Sequence, residues 1–122
     1  MRIFLVDMEN VPKLTNINKL ATDDKLILFY SDHTPPMPMD TLKAIIDTGV
    51  SFEVKKVHLG VKNALDFQLS TYLGYLMHTY NNAKLIIVSK DKGFEVVKKF
   101  WTTEKKKNIV LQNNLSAQQK KG

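Results

Sequence analysis

The chain has 122 residues, with 18 Lys or Arg against 12 Asp or Glu, a net charge of +6 at pH 7 and no cysteine. That length gives one compact domain with a core and leaves no room for two. The missing cysteine excludes disulfide frameworks, zinc thiolate sites and thiol nucleophiles, and fits a reducing compartment.

The first apolar run, residues 3–6, is short and ends in Asp7, so neither a signal peptide nor a membrane span is expected, and the protein is expected to be cytoplasmic. In chain order, residues 2–6 read as a strand and 15–21 as a helix. A strand follows over 25–30, then a stiff loop carrying Pro35, Pro36 and Pro38. A helix over 40–47 stops at Gly49, and 52–57 is the third strand. The longest helix covers 64–80, where Leu65, Leu69, Tyr72 or Leu73, Leu76 and Tyr80 recur at spacings of three and four. A strand over 84–88, a helix over 94–100 and a weaker strand over 108–111 complete the pattern. Alternating strands and helices, with strands apolar at consecutive positions, predict an α/β fold with a central parallel sheet covered on both faces. Residues 1–111 form the domain, and 112–122 lack any apolar period and read as a basic, flexible tail.

The charge is unevenly placed. Residues 98–122 hold seven Lys and one Glu, while residues 1–97 balance at 11 of each sign. Such a block is either a solvated surface or a footprint for a polyanion such as nucleic acid.

In an open parallel sheet with right-handed crossovers, all strands end on one edge. Asp7 closes the first strand, Asp91 follows the fourth, and Asp66 opens the helix returning from the third. Glu9 and Asn10 share the Asp7 loop, and Asp32 follows the second strand. Order alone predicts an acidic pocket. Crowded carboxylates repel one another, and a hard divalent cation is the natural counter-charge. Mg2+ and Mn2+ take oxygen ligands from a few carboxylates and from phosphate, orient a water and lower its pKa. Lys62, Lys90 and Lys92 flank the acids and are expected to touch phosphates. Lys98, Lys99, Lys105, Lys106 and Lys107 are expected to steer a nucleic-acid backbone without reading sequence.

Plainer readings exist for each group. Asp7 with Asn10 serves as a turn and cap, Asp66 as a carboxylate favoured by a helix dipole, and Ser89, Asp91 and Gly93 as a strand-to-helix turn. Each alone is at least as good as a metal role, but three converging on one edge are less readily explained. His33, His58 and His78 lack metal-ligand spacing and read as surface or interface residues, and the five glycines form no phosphate-binding loop. Trp101 reads first as core, with base stacking beside its lysines as the second reading.

The stretches FLVDMENVP (4–12), KNALDFQLSTYLG (62–74) and IVSKDKGF (87–94) resemble the three acidic motifs of the PIN-like nucleases, a superfamily that includes the NYN domains. The likeness covers residues 2–111 in order and spacing. It implies a three-layer α/β/α sandwich with parallel strand order 3-2-1-4-5, and one or two Mg2+ or Mn2+ ions at a site that cuts RNA. It makes Asp7, Asp66 and Asp91 the catalytic, metal-holding acids, with Ser89 opening the Ser/Thr-x-Asp signature and Asn10 matching the Asn that commonly follows the first acid. Gly93 stands where many members carry a further acid; Glu9 or Asp32 is expected to supply a fourth carboxylate, and Asn10 and Ser89 to orient the ligands.

The expected activity is a metal-dependent endoribonuclease acting on single-stranded RNA, without membrane attachment. A second copy or an inhibitory protein is the further partner considered. The alternative is a nuclease-like fold kept as an inactive module that binds nucleic acid or a protein. A phosphatase on a similar sheet ranks third, because DMEN at 7–10 lacks a DxDxT pattern.

Overall fold

Successive side chains of a strand point to opposite faces, so strands apolar at every position need cover on both sides. The computed structural model, which describes residues 1–58 and 60–116, provides that cover with helices on each face. Strands β1 (Arg2–Asp7), β2 (Lys25–Tyr30), β3 (Ser51–Lys56), β4 (Lys84–Val88) and β5 (Ile109–Gln112) pair in parallel in the order β3-β2-β1-β4-β5. Ile3, Leu5, Ile27, Phe29, Leu85 and Ile87 enter one core, beneath α2 (Ala64–Thr79) and α3 (Phe94–Lys105). The alternate residues Phe4, Val6, Leu26, Leu28, Ile86 and Val88 enter the other, beneath α1 (Met39–Asp47) and a 3₁₀ turn at Ile17–Lys19. The three-layer sandwich and the 3-2-1-4-5 order expected from the sequence are the observed ones.

Two helices differ from expectation. The helix expected at 15–21 shrinks to Ile17–Lys19, because Asn16 takes a left-handed conformation (φ 59°) and Leu20 is already extended. The helix expected at 94–100 runs on to Lys105, and Lys106, also left-handed (φ 52°), stops it. Residues 102–105 carry no apolar signal because they are exposed, so hydrophobic periodicity ended too early.

Residues 112–116 belong to the folded domain and not to the tail expected from residue 112 onward. Gln112 still pairs with Val88, and Leu115 is 2% exposed in the α1-side core. Asn114 fastens this segment to the loop after β1: its Oδ1 accepts the Thr15 N–H at 2.8 Å and its Nδ2 donates to the Lys13 carbonyl at 2.9 Å. One leucine without a periodic partner gives no sequence signal, yet it suffices here because the sandwich supplies the rest of its pocket. Residues 117–122 lie outside the described residues.

The chain builds β1, β2 and β3 in one direction across the sheet, then crosses to β4 and β5 on the other side. The order reverses at β1, which opens a crevice between the ends of β1 and β4, the usual ligand site of such sheets. Both α2 and α3 start at that edge and run to the opposite one. Among the described residues, no helix is long and apolar enough to cross a membrane.

Candidate metal centre

β1 delivers Asp7 into the crevice with its side chain fully buried. A buried carboxyl requires hydrogen-bond donors, and four converge on it. The Glu9 and Asn10 N–H groups donate to Oδ1 at 3.2 and 3.3 Å. The Asn10 Nδ2 and the Ser89 Oγ donate to Oδ2 at 2.6 and 2.9 Å. A carboxylate has about four lone-pair sites, so protein donors occupy Asp7 completely. The bond from Ser89 joins the ends of β4 and β1 across the switch point.

Ser89 Oγ also accepts the Asp91 N–H at 3.0 Å, which fixes the loop presenting Asp91. Asp91 Oδ1 accepts the Gly93 N–H at 2.8 Å. A Cβ added at Gly93 would stand 3.1 Å from that same oxygen, so a side chain there would make Asp91 shift by a few tenths of an ångström.

Asp66 lies in the first turn of α2. Burial, then a hydrogen bond with Asp91, then the fields of Asp91, Asp7 and Glu9 push its carboxyl up to about 6. Acids from β1, α2 and the β4–α3 loop are therefore electrostatic neighbours, with Asp91 acting on Asp66 more strongly than Asp7 or Glu9 does.

Glu9 joins this group through its loop, where Ser31 Oγ donates to Glu9 Oε2. Asp32 does not join it. Its Oδ1 pairs with Lys56 Nζ at 2.9 Å, and that contact holds the Asp32 carboxyl below the usual range. Of the two candidates for a fourth carboxylate, Glu9 acts on Asp66, and Asp32 is engaged by Lys56.

Lys62 lines an open cleft of about 480 Å³ with Glu9, His33 and Asn63, while Lys90 and Lys92 are exposed on either side of Asp91. His33, read from the sequence as a surface residue, faces this cleft; its position three residues past β2 was the available signal. On the other side of Ser31 lies an apolar groove of about 420 Å³ lined by Met8, Tyr30, Pro35 and Met37, among others. Lys98 and Lys99 sit midway along α3. Lys105, Lys106 and Lys107 do not flank the acids: α3 carries them to the edge where β5 begins. At about 1.5 Å per residue, a 12-residue helix separates its ends by roughly 18 Å.

Among the described residues, no three His, Asp or Glu side chains form a ready cage for one ion. The donor set is nonetheless all oxygen, and a carboxylate pair such as Asp66 and Asp91 fits a hard cation whose remaining ligands are waters and phosphate oxygens.

No curated protein and no solved structure matches the chain. A family model described as a PIN domain matches residues 1–108, from β1 to the residue before β5, and so includes every acid of this edge. That family is generally of nuclease type. With 108 of its 122 residues under that match and the sheet order in agreement, the chain belongs to the PIN domain family.

Proposed function

We propose that this chain is a divalent-metal-dependent endoribonuclease whose centre is the carboxylate edge. The convergence of Asp7, Asp66, Asp91 and Glu9, from separate parts of the chain, on the topological switch point supports this reading most strongly. Asp66 and Asp91 would hold Mg2+ or Mn2+. Bound there, the ion supplies charge stabilisation at a phosphodiester and a more acidic water. Asp7 is the organiser: buried and saturated with donors, it fixes the Asn10 loop and, through Ser89, the Asp91 loop. Lys62, Lys90 and Lys92 would orient the phosphate from outside the carboxylates, and single-stranded RNA is the proposed substrate.

The test is cleavage of end-labelled single-stranded RNA in Mg2+, Mn2+ or chelator, for the native chain and Asp91→Asn. Asp91 is the better target, because Asp7→Asn would turn an amide NH2 toward existing donors and cost about 2–3 kcal/mol of stability. Cleavage is expected only with metal, falling by about a hundredfold or more in Asp91→Asn, equivalent to about 2.7 kcal/mol of barrier. Equal cleavage by the two proteins would overturn the assignment.

The second reading, an RNA-binding module without turnover, draws on the engaged Asp7 and the lack of a ready cage. Salt-sensitive binding without cleavage in any metal would establish it.

A further inference from the structure

We propose that the cleft between the far ends of α2 and α3, at the edge opposite the carboxylates, is a holding site for single-stranded RNA. Trp101 is its stacking wall, and Lys105 and Lys107 are its phosphate contacts. The inference rests on RNA being the substrate and extends that reading: the strand is gripped at one edge of the sheet and cut at the other.

In this cleft a glycine of α2 faces a tryptophan of α3. A Cβ at Gly74 would lie 3.5 Å from Cζ2 of Trp101, an ordinary contact distance, so the indole lies alongside this stretch of α2. Phe100 meets the indole edge-on, with ring centroids 5.2 Å apart and planes at 84°. Trp101 is thus half-buried and held on two sides, which makes it a rigid surface requiring little ordering when a base stacks on it.

The stop of α3 then brings cations back to that ring. With Lys106 left-handed, the chain turns, and the Lys107 N–H donates to the Trp101 carbonyl at 3.0 Å. The resulting cleft, about 450 Å³, is lined by Gly74, Met77, His78 and Asn81 from the α2 side and by Trp101, Lys105 and Lys107 from the α3 side. It shares Met77, Asn81 and Lys107 with a hollow of about 160 Å³ that adds Lys106 and Asn108. Among the described residues, no carboxylate lines either one. An aromatic wall, amide side chains and unopposed lysines form the combination that grips single strands with little regard to sequence.

Electrostatics favour the same occupant. The carboxylate edge repels a polyanion, whereas Lys105, Lys106 and Lys107 stand exposed at the opposite edge. Metal-free RNA is therefore drawn to the lysine edge first.

Trp101 is the sole tryptophan, so its emission reports on this cleft alone. The experiment titrates the full chain with a labelled single-stranded oligoribonucleotide in chelator, following both probe anisotropy and Trp101 fluorescence, for the native protein and Lys105→Ala/Lys107→Ala. Both lysines are exposed, so the double variant retains the fold.

The expected result is binding with matching anisotropy and quenching curves, weakened about tenfold by the double variant. Its log–log salt slope should be shallower by about 1.4, the value for two phosphate contacts on a single strand. Binding without a change in Trp101 emission, binding unaffected by the double variant, or no binding in chelator would each overturn the proposal. Because chelator suppresses turnover, these outcomes are separate from cleavage: loss of binding with cleavage intact removes only the holding site, and binding without cleavage removes only the nuclease reading.

Discussion

The two edges of the sheet are built from the same five strands and carry opposite chemistry. Where the strands end, Asp66 is pushed up first by burial and then by its acidic neighbours Asp91, Asp7 and Glu9. Where the strands begin, charge is either paired or left positive. Arg2 makes two side-chain bonds to Asp24, at 3.0 and 2.6 Å, and Lys105, Lys106 and Lys107 face solvent. One edge is strained by like charges, as functional sites often are, and the other is settled by opposite ones. The fold thus keeps an electrostatic burden away from the contacts that stabilise it.

Substitutions sharpen this contrast, and the largest effect is expected beside the acidic edge. Leu115→Ala empties a buried position in the segment that Asn114 ties to the loop after β1 and should cost about 3 kcal/mol, read as a lowered urea midpoint. A loss under about 0.5 kcal/mol would show that the segment merely lies on the core.

At the opposite edge, Asp24→Asn should cost about 2 kcal/mol at pH 7. The carboxylate is 3% exposed and also accepts the Ala21 N–H at 2.8 Å. Burial alone would raise the Asp24 carboxyl, but the bonds from Arg2 and Ala21 outweigh it and hold it below the usual range. Its contribution is therefore present above the unfolded value of about 4 and disappears as pH falls further. The cost of Asp24→Asn should shrink accordingly in urea melts at pH 3.

Asp66→Asn should do the reverse. Its raised carboxyl binds a proton in the folded chain that the unfolded chain has released, so its contribution is present below about pH 4 and lost as pH rises through about 6. Removing it should stabilise the metal-free protein by about 1 kcal/mol at pH 7, after allowance for solvent screening of a part-exposed group, and by nothing at pH 4. Destabilisation at pH 7 would mean that the acids are not in conflict.

The smallest effect belongs to Gly74→Ala. The new methyl meets Trp101 at an ordinary contact distance of 3.5 Å within α2, so the gain in helix propensity should add about 0.5 kcal/mol, visible as a small rise in Tm.

Much of this contrast was legible in the sequence. β2 and β4 read at their observed bounds because 26–29 and 85–88 are apolar without interruption, and Asp7, Asp66 and Asp91 followed from strand order alone. The engagement of Asp32 was not legible, since it depends on Lys56 of the neighbouring strand reaching it. The side of the molecule holding the lysine run was hidden for another reason: α3 continues through 102–105 without apolar residues and carries the charge to the far edge. Leu115 was missed because its pocket is built by residues remote in sequence, including Phe4 and Val88 of the same core.

The most direct test of the carboxylate edge as one cation-holding centre is the Tm at pH 7 with and without millimolar Mn2+, for the native chain and Asp91→Asn. A ligand that binds only the folded state raises stability as the logarithm of one plus its free concentration over Kd, and for a chain of this size about 1 kcal/mol corresponds to roughly 3–6 °C. The native protein should gain several degrees and Asp91→Asn almost none. An equal gain in both, or none in the native chain, would contradict a metal centre at Asp66 and Asp91.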